Sequence, residues 1–258
     1  MDLGIKGRIA VICGGARGSG LEIAHFLARE GVKVVMSGRY PDMVREAEKS
    51  VRDAGGEAVG VVADVVAPDG PEKIKEAAHK AFGAPDIMVL NIATISSNDR
   101  EFMNITDEEF EKSYQAYFMA PVRMLRAFLP DMAKNRWGRV VLLGSANMKN
   151  PSPVDPLTAQ AVRVGGAALL KNLTAEYGEY NISFNTLAIG AFMTELGKDY
   201  LKTAPPGSYE AYCETIPAKR WADPSELAGL VTYLCGEQSA YVNGEVIRID
   251  GGQTKSLF

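Results

Sequence analysis

Cysteine is scarce in this 258-residue sequence: three in all, Cys13, Cys213 and Cys235, far apart and odd in number. That spacing builds neither a disulfide framework nor a zinc site, and it fits a reducing, cytoplasmic home. Histidine is scarcer still. His25 and His79 each fall inside a helical pattern with nothing metal-like beside them, so structural or surface roles are expected and no metal is. No apolar run approaches the ~20 residues that a membrane span requires. The start, MDLGIKGRIAVICGG, shows no long apolar h-region and no cleavage pattern. Basic runs are missing too, and the net charge is -4. That argues against nucleic acid or an anionic membrane as a partner. Repeats, low-complexity tracts and linkers are also absent, and the length suits one large domain over 1–258. With 47% apolar residues, a sizeable core is attainable without disulfides.

What is present is an alternation of short apolar runs with longer amphipathic stretches, the signature of a parallel sheet covered by helices. Strands are expected near 8–13, 32–37, 57–62, 86–90, 139–144, 182–188 and 245–249. These runs are β-branched and hardly alternate, as strands buried on both faces should be. Helices are expected near 19–30, 41–54, 70–82, 107–134, 156–179 and 224–235. Thr106 with Glu109 forms a capping box, and Asp223-Pro224 reads as a cap followed by a first-turn proline. The one irregular stretch, 192–222, carries Pro205-Pro206-Gly207. Its length suits a loop or short helices over a substrate cleft, or equally a packing or subunit contact.

After the first strand comes Gly14-Gly15-Ala16-Arg17-Gly18-Ser19-Gly20, then a helix. Gly14 suits a tight turn that only glycine takes easily. Gly18 lets backbone approach a pyrophosphate, and Gly20 lets the helix pack close to the strand. The helix N-terminus at Ser19 then offers N–H groups and positive dipole to phosphates. A strand before and a helix after are the context that makes such a turn a dinucleotide site. NAD binders usually carry a carboxylate at the end of the second strand. Here the run is Ser37-Gly38-Arg39. Arg39 and Arg17 suit the 2′-phosphate of NADP, which makes NADP the expected cofactor over NAD.

These residues resemble the short-chain dehydrogenase/reductase family along nearly the whole chain. The motifs are the glycine turn, Asp64-Val65 after the third strand and Asn91-Ile92-Ala93 after the fourth. Further on come Gly138-Arg139-Val140-Val141 leading to Ser145, Ile189-Gly190 followed by Thr194, and Asn243-Gly244 with Asp250-Gly251-Gly252. In length and ending the chain is similar to that family's acyl-carrier-protein ketoreductases. The resemblance implies a Rossmann-type, doubly wound seven-stranded parallel sheet in three α/β/α layers, ordered 3-2-1-4-5-6-7. It also implies a cofactor across the carboxyl ends of the strands. Asp64 and Val65 would face the adenine, Asn91 the central ribose, and Thr194 with the Ile189 backbone the nicotinamide. Assembly as dimers or tetramers through the helices at 107–134 and 156–179 is implied as well.

The family's acid–base motif is where the pattern breaks. A serine polarises the substrate oxygen, a tyrosine moves its proton, and a lysine four residues later favours the phenolate. A phenol with pKa about 10 is otherwise a poor base at neutral pH. Ser145 matches the serine. No tyrosine lies between 118 and 176, and alignment on Leu173-Thr174-Ala175-Glu176 puts Ala159 at the tyrosine position and Arg163 at the lysine position. Arginine keeps the cation but cannot be deprotonated. At the family's relay asparagine, counting from Phe110, stands Tyr117. Two readings follow: Tyr117 supplies the phenol with Arg163 and Ser145, or it fills the space vacated at Ala159. Thr94 replaces a glycine, Ile189 a proline and Cys13 a threonine, the last read as a small buried residue.

Three functions remain open from the sequence. The first is an atypical NADP-dependent oxidoreductase acting on a carbonyl or hydroxyl of a small molecule. The second is non-redox chemistry in the same cleft, as in the halohydrin dehalogenases, which carry the arginine yet keep the tyrosine missing here. The third is a non-catalytic cofactor-binding subunit paired with an active relative in a mixed oligomer; homo- and hetero-oligomer, with itself or a related subunit, both stay open from the helix faces.

Overall fold

The computed structural model describes residues 1–92, 101–152 and 156–257. Its centre is one parallel sheet of β1 (Ile9–Cys13), β2 (Lys33–Gly38), β3 (Ala58–Val62), β4 (Ile87–Leu90), β5 (Gly138–Leu143), β6 (Ile182–Ile189) and β7 (Val246–Ile249), in the order β3-β2-β1-β4-β5-β6-β7. Every residue of β1, β4 and β5 is buried, the outcome anticipated from their unbroken apolar runs.

Helices cover both faces. On one lie α1 (Gly18–Arg29) and α9 (Pro224–Leu234), with α2 (Pro41–Asp53) beside α1. Ile23, Leu27, Leu227 and Val231 pack there on Ile12, Val34 and Leu187. On the other face lie α3 (Gly70–Ala81), α4 (Asp107–Tyr114), α5 (Ala120–Asn135) and α6 (Leu157–Tyr177). Met124, Phe128 and Leu170 pack there on Val11, Met88 and Phe184. These two layers and the sheet give the three-layer α/β/α arrangement.

Both helix starts anticipated from the sequence are present. Thr106 Oγ1 accepts from Glu109 N while Glu109 accepts from Thr106 N, and Asp223 with Glu226 closes the same box ahead of Pro224. Each histidine makes one exposed side-chain contact: His25 Nε2 meets Ser50 Oγ at 3.0 Å and His79 Nε2 meets Asp131 Oδ2 at 3.0 Å. Among the described residues no cluster of metal ligands forms and no helix is long and apolar enough to cross a membrane.

One expectation needs correction. The stretch 107–134 is not a single α-helix. Between α4 and α5, Gln115–Met119 forms a turn of π-helix. The wider turn accommodates an extra residue locally, and hydrophobic periodicity cannot register so small an insertion. Tyr117 sits in this turn. Opposite it, α6 carries Gly165 and Gly166, where a Cβ on Gly166 would lie 3.1 Å from the Tyr117 carbonyl oxygen. The glycine pair is what lets α6 and the π turn come this close.

Candidate functional site

The reversal of strand order between β1 and β4 opens a crevice at the carboxyl ends of the strands, the usual ligand position in such sheets. The glycine turn stands on its edge. Gly14 takes φ 63° and Gly18 φ 53°, both in the region that disfavours side chains. A Cβ on Gly14 would lie 2.5 Å from the Asn91 carbonyl oxygen, and one on Gly20 only 2.1 Å from the Gly14 carbonyl oxygen. Asn91, just past β4, donates from Nδ2 to that same Gly14 oxygen at 3.2 Å. Side-chain-free backbone and a brace across the switch point thus shape a cradle ending at the α1 N-terminus. No side chain caps that terminus and no acidic residue occupies its first turn, so its N–H groups, Ser19 among them, suit a phosphate.

Two guanidiniums flank the cradle. Arg17 is the exposed N-cap of α1, and exposed Arg39 follows β2, 5.7 Å from the Tyr40 ring. Neither pairs with a carboxylate among the described residues. Gly38 brings their segments together, since its Cβ would lie 2.9 Å from Ala16 Cβ. Past β3, on the same side as Arg39, Asp64 is exposed and accepts from Val66 N at 3.0 Å, with Val65 half-buried beside it. Ile189 closes β6. Thr194 caps α7 (Glu195–Thr203), accepting from Gly197 N at 3.2 Å, and a Cβ on Gly18 would lie 3.8 Å from Thr194 Cβ. Gly14, Gly20 and Asn91 thus meet, Thr194 comes close to Gly18, and Arg17, Arg39, Asp64 and Ile189 stand at or just past the carboxyl ends of their strands. Thr94 and Ala93 lie outside the described residues. Cys13, under the turn, is fully buried, and burial pushes its thiol up to about 12, so it is an inert packing residue.

Ser145 stands just past β5, Tyr117 in the π turn and Arg163 on α6. Ser145 follows β5 and accepts from Asn147 N at 3.2 Å, leaving its own hydroxyl hydrogen to give. Arg163 of α6 lies over the Tyr117 ring, its guanidinium carbon 4.2 Å from the ring centroid. A partly desolvated stack of this kind contributes about 1 kcal/mol. The Arg163 Nε is buried and makes no hydrogen bond. Both side chains line a cavity of about 10 Å³ with Ile92, Pro121, Leu142, Leu143 and Gly144, enough for about one water. Two of these residues, Ile92 and Gly144, are the chain neighbours of Asn91 and Ser145. Ala159 and Tyr117 belong to the same packed cluster, and Tyr117 is only 5% exposed.

The segment 192–222 holds α7 and α8 (Ser208–Glu214). Its two ends are tied at one point: Phe192 bridges Ala222, Met193 N donates to Ala222 O at 2.8 Å, and Ala222 N to Ala191 O at 3.0 Å. Within it Trp221 meets the rings of Tyr209 and Tyr212 edge-on at 5.6 and 5.8 Å. Sequence reasoning did not find a second cleft beside it. Ala146, Asn147, Asn150, Pro151 and Ser152 form one wall, and Tyr212, Gln253 and Thr254 the other, around about 180 Å³. Its walls come from three separated segments, so no local motif announces it.

A dinucleotide-binding α/β sheet with its crevice at the first strand-order reversal is what this architecture defines. A family model described as enoyl-(acyl carrier protein) reductase matches residues 14–254. Human dehydrogenase/reductase SDR family member 4 is 30% identical over 254 residues, covering 98% of this chain and 90% of the relative. The 3-oxoacyl-(acyl-carrier-protein) reductase FabG of Vibrio cholerae is 28% identical over 255 residues, 97% of this chain and 98% of the relative. Among solved structures, L-sorbose reductase from Gluconobacter frateurii, complexed with NADPH and L-sorbose, is 31% identical with a TM-score of 0.93, and the match covers 100% of both chains. The chain belongs to the short-chain dehydrogenase/reductase family, a family of oxidoreductases.

Proposed function

We propose that this chain is an NADP-dependent oxidoreductase that interconverts a carbonyl and a hydroxyl on a small molecule, with its acid–base groups rearranged around Ser145, Tyr117 and Arg163. The observation that carries the reading is the Arg163–Tyr117 stack at 4.2 Å, sharing a cavity with Gly144, the residue before Ser145. The cradle fits the cofactor because its close approaches exclude side chains where a pyrophosphate would lie, and the buried Arg163 Nε beside Tyr117 is an orphaned donor. A bound nicotinamide would supply the hydride for the carbonyl carbon, leaving the chain's own groups to deliver the proton to its oxygen.

The chain's own groups do the rest. Ser145 donates its hydroxyl hydrogen to the substrate oxygen. Tyr117 holds the transferred proton at its phenol oxygen, and the guanidinium over its ring offsets the charge left when the proton goes. Arg163 itself carries no proton to the reaction; its unspent N–H groups hold ribose hydroxyls. Arg17 and Arg39 would hold the 2′-phosphate, Asp64 and Val65 the adenine, Asn91 the central ribose, and Thr194 with the Ile189 backbone the nicotinamide. The NADPH in the Gluconobacter frateurii enzyme supports the cofactor choice.

Tyr117→Phe keeps the ring and the stack and removes only the oxygen. Turnover on a true substrate is expected to fall by about 10²–10⁴, with NADPH affinity unchanged by calorimetry. Unchanged turnover ends this assignment. The burial of Tyr117 and Ala159 in one core cluster favours a second reading, in which Tyr117 only fills the vacated volume and the chain is a cofactor-holding partner of an active relative. Co-purification with such a chain, without turnover alone, supports that alternative.

A further inference from the structure

The cleft walled by Asn147, Asn150, Ser152, Tyr212, Gln253 and Thr254 carries no charged side chain among its described lining residues, yet nearly every wall position brings a hydrogen-bonding group. Asn150 and Tyr212 make no side-chain hydrogen bond to another described residue, and Thr254, whose side chain bonds Asp250, can still accept. Gln253 spends one amide hydrogen on Thr215 Oγ1 at 3.2 Å and keeps further donor and acceptor capacity. That same bond pins the tail to the end of α8. Asp250 pins it from the other side, accepting from Gly252 N at 3.0 Å and Thr254 N at 2.9 Å. The polar wall is therefore held in place, and it starts one residue after Ser145, at Ala146.

An apolar ligand entering here would strip water from amides and hydroxyls and give nothing back, at a cost for each group. A carboxylate would find no cation among the described lining residues. A molecule with hydroxyls on successive carbons matches amide and hydroxyl partners that both donate and accept. We infer that this cleft takes a neutral, hydroxyl-rich small molecule, a polyol or its carbonyl form, with Asn150, Gln253 and Thr254 setting specificity away from the reacting carbon. The inference rests on the oxidoreductase reading, since Ser145 must reach the carbon that reacts.

The test uses the full chain loaded with NADP and titrated calorimetrically with mannitol, fructose, 2-heptanone and 3-hydroxybutyrate, with tryptophan fluorescence read in parallel because Trp221 packs on Tyr212. NADP binding is measured first, on its own. Mannitol or fructose is expected to saturate the loaded protein, and Asn150→Leu or Gln253→Leu each to weaken that binding about fivefold, one hydrogen bond's worth, with NADP affinity and circular dichroism unchanged. The same variants are expected to leave 2-heptanone unchanged or tighter. Tighter binding of 2-heptanone or 3-hydroxybutyrate than of either polyhydroxy probe overturns the inference, as do leucine variants that bind mannitol and fructose like the parent. In those outcomes intact NADP binding leaves the cofactor reading standing. Failure of NADP itself to bind overturns the cofactor reading instead.

Discussion

A methyl group at position 20 tests the glycine cradle directly. In Gly20→Ala the new carbon would lie 2.1 Å from the Gly14 carbonyl oxygen and 2.8 Å from Asn91 Nδ2, where side-chain carbons essentially never come closer than 3.0 Å. Neither neighbour yields easily. Gly14 is backbone held at φ 63°, and Asn91 is bonded to the same carbonyl. Relief must come from moving the start of α1 outward, which costs about 1–3 kcal/mol as overpacking. Alanine's helix preference returns about 1 kcal/mol, so the net loss reaches about 2 kcal/mol. The displaced N–H groups are those aimed at the phosphates, and NADPH affinity is expected to fall at least about tenfold, or about 1.4 kcal/mol. Gly229→Ala in α9 is the matched control. Its methyl meets only Phe26 Cε1 at 3.9 Å, an ordinary contact, so about 1 kcal/mol of stabilisation is expected with no change in binding. Urea denaturation of both variants, with calorimetric NADPH titration, gives the comparison. Parental NADPH affinity in Gly20→Ala, with a midpoint at or above that of Gly229→Ala, would refute the steric account of the turn.

Arg17→Ala and Arg39→Ala are each expected to weaken NADP about tenfold and leave NAD unchanged; equal losses for both cofactors, or a parental preference for NAD, would remove the phosphate assignment. Ala159→Tyr is expected to destabilise by about 1–3 kcal/mol because Tyr117 already fills that cluster, and Tyr117→Asn in the same chain is expected to recover most of the loss, a non-additivity that denaturation of the single and double variants measures. At the base of the 192–222 segment, the paired Arg220 guanidinium holds the Glu226 carboxyl down at about 2, with Asp223 N adding to the effect. A carboxyl depressed on folding stabilises fully above its unfolded pKa of about 4.5 and loses that contribution as pH falls toward about 2. Arg220→Gln is therefore expected to flatten the fall in stability across that window, and an unchanged acid-denaturation profile would show the pair contributes nothing.

The sheet was legible because its information is local. Each apolar run, such as the one ending at Cys13 or beginning at Ile182, marks a strand buried on both faces, and glycine, proline and capping residues mark where helices begin. Strand ends fell within a residue of expectation for that reason. The cradle was legible too, because Gly14, Gly18 and Gly20 are constrained by backbone geometry. Harder to see was the π turn at Gln115–Met119, since one extra residue barely disturbs a 3.6-residue period. The Arg163–Tyr117 stack joins side chains on different helices, and only the close approach at Gly165-Gly166 creates it. The polar cleft escaped altogether: Asn150, Tyr212 and Gln253 meet solely because the tail folds back over α8.

The neck formed by Phe192 and Ala222 makes the intervening chain a closed appendage. Closing such a loop costs only about 0.6 kcal/mol more for each doubling of its length, and its two feet stand on the same spot beside the sheet. Residues 195–221 are thus interchangeable in principle without disturbing a single strand pairing, with Met193 and Thr194 kept at the neck and beside the cradle. Evolution, or a protein engineer, has here a graft site: a new appendage spliced between the same two feet redraws what enters the cleft while the dinucleotide cradle stays as it is.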